Sequence, residues 1–225
     1  MTDDVLAAQV GYYRHRASEY DVTAYGDVDA ARRRIARLVA QVQPSGRVLE
    51  IACGTGLWTE ALARLAGSLV AIDAAPETLA IARERVPAAN VRFEVADVFT
   101  WTTDDRFDVI FFSAWLSHVP QSRFDEFWRT LGDLLAVDGR VVFVDEPVDV
   151  RAKETYVPDA EEIVERCLED GRTFQIVKNF LDPQTLPARL RALGWECHIV
   201  RDDGDSDGDA WIVGEAVLDP SAGTA

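Results

Sequence analysis

Cysteine is scarce in this chain: Cys53, Cys167 and Cys197 are the only three among 225 residues. Their spacing matches no metal-ligand pattern and an odd number cannot pair off, so free thiols are expected, with no metal site and no disulfide framework. Positive charge is short as well. Lys and Arg total 23 against 39 Asp and Glu, a formal net charge of −16, and such a surface is unsuited to nucleic acids, whose phosphates are held by basic patches. The same field repels small anions unless cations gather inside a pocket. Long apolar runs are missing: no stretch approaches the roughly 18 residues needed to cross a bilayer. The opening Met-Thr-Asp-Asp lacks the basic segment of an export signal. No repeat or heptad pattern marks an assembly interface, so oligomeric state stays open. These absences lead to the expectation of a cytoplasmic protein with a small-molecule partner, acting on neither membrane nor nucleic acid.

What is present is a recurrent apolar pattern, 48% hydrophobic residues, enough to bury one core across residues 1–225. Buried-strand runs at Arg47–Ile51, Leu69–Ile72, Val91–Val95, Phe107–Phe112 and Gly139–Val144 alternate with helical spacing at Ala30–Val42, Leu57–Ala66, Pro76–Val86 and Arg123–Ala136. That alternation is the pattern of an α/β parallel sheet. After Pro147 the chain becomes charged and interrupted, so 148–181 reads as an insertion, with a helix at Asp159–Glu169 and an extended piece at Arg172–Lys178. Asp182-Pro183 opens a helix ending at Gly194, and Trp195–Val200 with Ala210–Leu218 closes as an antiparallel hairpin.

The most informative segment is Val48-Leu-Glu-Ile-Ala-Cys-Gly-Thr-Gly56. Gly54 and Gly56 form a turn in which backbone N–H groups approach a ligand with no Cβ in the way. Asp73 stands at the carboxyl end of the next strand, where a carboxylate accepts hydrogen bonds from ribose hydroxyls. Asp97, Val98 and Phe99 follow the third strand and suit an adenine, with a carboxylate for its amine and an aromatic beside its ring. A dinucleotide site wants a third small residue where Thr59 stands. Glu50, four residues before Gly54, disfavours a pyrophosphate and favours a zwitterionic sulfonium. The cofactor expected is therefore S-adenosylmethionine (SAM), with a nicotinamide oxidoreductase as the competing chemistry.

On Glu50-Ile-Ala-Cys-Gly-Thr-Gly56, Asp73 and Asp97-Val98 the chain resembles the class I SAM-dependent methyltransferases. Tyr12–Asp21, Phe111–Pro120, Phe143–Asp145 and Asp170–Lys178 resemble a group of small actinobacterial natural-product methyltransferases that includes a phosphonate O-methyltransferase. The resemblance implies a Rossmann-like α/β fold with strand order 3-2-1-4-5-7-6 and the last strand antiparallel. It also implies an N-terminal helical lid over residues 1–30 and a substrate cap over 148–181, before the last helix. Cofactor contacts implied with it are Glu50, Ala52, Gly54, Gly56, Trp58, Asp73, Ala74, Asp97, Val98, Phe99 and Ser113, with S-adenosylhomocysteine (SAH) as product.

The candidate lid residues Tyr13, Arg16 and Tyr20 fall at helical spacings of three and seven, one face that can close over the methionine end of the cofactor; a packing helix is the alternative. His118, beyond the strand ending at Phe112, is a candidate general base or a histidine that only ties its loop. In the insertion, Arg166, Arg172 and Lys178 are candidates to grip an oxyanion, unless the many nearby carboxylates neutralise them. Tyr25 is the candidate hydroxyl donor to the same group. His15 and His198 read as surface positions. Asp203-Gly-Asp-Ser-Asp-Gly208 imitates a calcium loop but has Gly214 where that loop needs glutamate, so a solvated turn is expected and no metal. The reading is O-methylation of a small anionic, phosphonate-like acceptor. Its alternatives are methylation of a neutral hydroxyl, amine or thiol with His118 as base, and a SAM-binding module without catalysis.

Overall fold

The computed structural model describes residues 2–204 and 210–220; most of the acidic run at 203–208 lies outside them. Nine strands are described: β1 (Arg47–Ile51), β2 (Ser68–Asp73), β3 (Val91–Val95), β4 (Phe107–Ser113), β5 (Leu135–Asp145), β6 (Ile163–Cys167), β7 (Thr173–Val177), β8 (Trp195–Asp202) and β9 (Trp211–Leu218). Seven of them form one sheet, in the order β3-β2-β1-β4-β5-β9-β8. The first five run parallel, and β9 is antiparallel to both neighbours. This is the expected 3-2-1-4-5-7-6 arrangement with a separate β6-β7 hairpin added.

Because successive strand side chains point to opposite faces, the two faces fill independently. Leu49, Ile51, Ile110, Phe112, Val141 and Phe143 meet Phe127, Trp128 and Leu131 of α6 (Phe124–Leu134) and Leu190 of α7 (Leu186–Arg191). Val48, Val109, Phe111, Val142 and Val144 meet Ile35 and Leu38 of α3 (Val28–Val42) and Trp58 and Leu62 of α4 (Leu57–Leu62). Each such buried side chain contributes about 1.5–3 kcal/mol. Parallel strands sandwiched this way leave their carboxyl ends open as a ligand edge.

The insertion departs from expectation. Asp159–Glu169 is not a helix: β6 and β7 form an antiparallel hairpin in register Ile163↔Val177 to Cys167↔Thr173. Its glutamates favour a helix, but Val164, Leu168 and Ile176 are buried against Tyr12 of α1 (Thr2–Arg16), and that packing overrides propensity. The last helix starts at Leu186 rather than Asp182, whose carboxylate instead accepts from Gln184 N at 2.8 Å in the preceding turn. The N-terminal segment, expected as a lid, holds two helices before α3: α1 ends at Arg16 and α2 spans Tyr20–Tyr25. No described helix is long and apolar enough to cross a membrane.

Candidate active site

At the carboxyl end of β1 the chain turns through Ala52 at φ 54°, Gly54 at 55° and Gly56 at 81°. The two glycines serve different ends. A Cβ on Gly56 would stand 2.9 Å from Ala82 Cβ, so this glycine seats α4 against α5 (Pro76–Arg85); a Cβ on Gly54 would meet nothing within 4 Å and would project into open space. Asp73, at the end of β2, accepts from Gly54 N and Ala75 N, both at 2.8 Å, and from Thr78 Oγ1 at 3.2 Å. Burial pushes this carboxyl up, and the Ala75 and Gly54 amides oppose the shift. Asp97 Oδ1 accepts from Phe99 N at 3.0 Å, and the Phe99 ring carries the Arg123 guanidinium 4.2 Å from its centroid.

Beside the glycine turn, Asp73 and Asp97 lies a cavity of about 530 Å³, in the usual range for a small-molecule site. Tyr13, Tyr20, Ala52, Gly54, Asp73, Ala74, Asp97, Val98, Phe99 and Ser113 all reach it, and α1 adds a wall of Leu6, Gln9 and Val10. The wall suits SAM. A carboxylate offers about four acceptor positions, of which the protein fills three at Asp73, leaving capacity for a ribose hydroxyl. Trp115 Nε1, on the same wall, is buried without a partner among the described residues, an orphan donor of the kind a bound ligand satisfies.

A second cavity, about 350 Å³, lies beside the first and shares Tyr13, Tyr20, Ser113, Ala114 and His118 with it. Ala114 is held at φ 47°, an uncommon conformation for a residue with a Cβ. Tyr25, Trp58, Arg166 and Lys178 line this chamber. So does Arg16, assigned to the cofactor by its spacing: α1 ends there, and its guanidinium turns onto the Tyr20 ring at 5.0 Å while donating to Thr23 Oγ1. Trp58 Nε1 donates to Tyr25 Oη at 3.3 Å. Burial raises both Tyr25 and Tyr20, the latter to about 12, so both are neutral phenols.

His118 is fully engaged. Val177 O, which only accepts, lies 2.6 Å from Nδ1, so that nitrogen carries the proton and Nε2 accepts from Tyr13 Oη at 2.9 Å. Burial, then the charge of Lys178, hold its pKa well below the ordinary value, against the pull of Val177 O. Gln9 secures the surrounding backbone, its Nε2 donating to His118 O at 3.4 Å and its Oε1 accepting from Val177 N at 3.0 Å.

The cap cations are paired. Arg166 is gripped by both carboxylate oxygens of Glu154, and Lys178, 4% exposed, donates to Glu146 Oε2 and to Ser117 Oγ. Arg172 lies at the hairpin tip, paired with Asp170 at 2.6 Å, and reaches neither cavity. Glu50 is buried behind the wall and burial raises it to about 8, opposed by the Thr59 hydroxyl; neither Glu50 Oε2 nor Thr59 Oγ1 has a hydrogen-bond partner of good geometry. The second helix is latched to the glycine turn: Asp21 accepts from Thr55 Oγ1 at 2.5 Å and pairs with Arg85, which also donates to Thr55 O at 2.8 Å.

Sequence reasoning missed Gln9, Trp115, Asp145, Glu146 and Glu154. Gln9 shares a helix face with Tyr13 at i, i+4, and Asp145 ends β5 as Asp73 ends β2, so both left a trace. The pairing of Glu154 with Arg166 left none.

The sheet order, glycine turn and acid-tipped strands together define a Rossmann-like methyltransferase. A methyltransferase-domain family model matches residues 48–139. The solved DhpI–SAH complex superposes with a TM-score of 0.80 at 38% identity, covering 96% of this chain and 98% of that one. The DhpI–SAM–HEP complex matches with a TM-score of 0.80 at 37% identity, covering 95% and 97%. The ubiquinone biosynthesis O-methyltransferase of Xanthomonas axonopodis pv. citri (strain 306) is 30% identical over 72% of this chain and 67% of its own length. The malonyl-[acyl-carrier protein] O-methyltransferase of Paenibacillus sp. (strain JDR-2) is 33% identical over 60% of this chain and 55% of its own length. The aligned part thus spans about half to two thirds of these two curated relatives. The chain belongs to the SAM-dependent methyltransferase family.

Proposed function

We propose that this protein transfers a methyl group from SAM to an oxygen of a small anionic, phosphonate-like acceptor held in the second chamber. The observation that carries the reading is the engagement of His118 on both ring nitrogens: its one lone pair is occupied by Tyr13. An acceptor oxygen that is already ionised needs no base, whereas an alcohol or amine does. SAM supplies a methyl activated by its sulfonium leaving group. The chain's own work is then alignment and exclusion of water. Asp73 and Asp97 fix one ligand, Tyr13 and Tyr20 stand between the chambers, and Arg16 and Lys178 place positive charge beside the second. The similarity to DhpI, crystallised with SAM and HEP, supports the same acceptor class.

The test is SAH formation across small phosphonates, carboxylates, alcohols and amines. Phosphonates are expected to turn over, and Lys178→Ala to raise their KM about tenfold or more while SAM affinity holds. Turnover confined to alcohols or amines overturns the reading. It would favour a second one, which the Tyr13–His118 contact supports: a neutral hydroxyl passing its proton through Tyr13 to His118.

A further inference from the structure

The acceptor chamber is not a basic pocket. Three cations line it, Arg16, Arg166 and Lys178, and so do three carboxylates, Asp145, Glu146 and Glu154. With His118 neutral, the side chains lining it carry positive and negative charge in equal number, in a chain already at −16. The carboxylates differ in what they have left to offer. Each oxygen of Asp145 already accepts from a backbone amide, Ser117 N or Glu146 N, and each oxygen of Glu154 is held by an Arg166 nitrogen. Glu146 meets Lys178 through Oε2 alone; its Oε1 accepts from no described donor, and its side chain is 32% exposed. Among the cations, Arg16 is the one with no carboxylate within salt-bridge distance among the described residues. It is held instead by Thr23 and by the Tyr12 and Tyr20 rings.

We infer that the acceptor is a small zwitterion, its oxyanion taken by Arg16 and its ammonium by Glu146. This rests on the methyl-transfer reading above and narrows it. A guanidinium held by the Thr23 hydroxyl and beside two aromatic rings, with no carboxylate taking its charge, is suited to an oxyanion. A carboxylate oxygen left open on a chamber wall suits an ammonium, and the pair of contacts rejects ligands that lack either charge.

The test uses the full chain loaded with SAH and titrated calorimetrically with 2-aminoethylphosphonate, ethylphosphonate, β-alanine and ethylamine. The amino phosphonate is expected to bind wild type about tenfold or more tightly than ethylphosphonate. Glu146→Gln should erase that preference while keeping SAH affinity, which reports that the variant is folded. Arg16→Gln should weaken both phosphonates alike. β-Alanine separates a phosphonate from a carboxylate requirement. Equal binding of the two phosphonates to wild type, or a preference that survives Glu146→Gln, overturns the inference and leaves the methyl-transfer reading standing. If none of the anions binds, and none yields SAH when SAM is supplied, the anionic-acceptor reading itself falls and this inference with it.

Discussion

Tyr13 Oη sits 2.9 Å from His118 Nε2, joining the lid to the loop after β4 through the hydrogen bond that leaves the imidazole no free lone pair. Burial holds His118 well below its ordinary 6.5, so between that lowered value and 6.5 the unfolded chain binds a proton the folded chain does not, and stability rises with pH across this window. Wild type should therefore lose stability as pH falls below about 6.5, and His118→Gln should flatten that part of the curve. Urea unfolding from pH 5 to 8 checks it; parallel curves for the two proteins would refute the assignment.

Glu50 carries the opposite sign. Its folded pKa is raised from 4.5 to about 8 by burial, so the folded state keeps a proton that the unfolded chain releases, and stability falls as pH rises from 4.5 to 8. Glu50→Gln is expected to raise the Tm relative to wild type at pH 8 and to change it little at pH 4.5. A Tm difference independent of pH would show that Glu50 stays ionised in the fold.

The two glycines of the cofactor turn should separate stability from binding. Gly56→Ala forces a Cβ to 2.9 Å from Ala82 at positive φ and should destabilise the fold by about 1–3 kcal/mol. Gly54→Ala meets no protein atom within 4 Å, so it costs only the left-handed backbone penalty of about 1–2 kcal/mol, while SAM binding should be lost. Normal SAM affinity in Gly54→Ala would place the cofactor elsewhere.

The latch makes a kinetic prediction. Asp21→Asn removes the charge that holds Arg85 beside the glycine turn, a charged hydrogen bond of about 1.5–3 kcal/mol. SAM should then dissociate roughly tenfold faster or more, and the Tm should fall by several degrees, about 2–4 °C per kcal/mol lost. Stopped-flow release that matches wild type would mean the lid is not held by this contact.

Sequence reading reached the cofactor half of the site because its parts are local. Gly54 follows β1 by three residues, and Asp73 and Asp97 each mark where a strand has just ended, so pattern alone aligned them along one sheet edge. The second chamber is built by contacts between distant segments. Arg166 reads as a helical cation because Glu161, Glu162 and Glu165 surround it, yet Val164 packing against Tyr12, more than 150 positions earlier, makes the segment a strand. Arg16 shares a helical spacing with Tyr20, but the helix stops between them and the guanidinium turns into the other chamber. Arg172, legible as a cation, was not legible as the tip of a hairpin.

Gln9 spends its amide on both His118 O and Val177 N, so one side chain from the first helix clasps the loop after β4 and the cap hairpin at once. Any outward movement of the hairpin would pull on this clasp, and with it on the helix that walls the neighbouring cavity. The two cavities therefore share one mechanical hold, and neither wall can shift without loading the other.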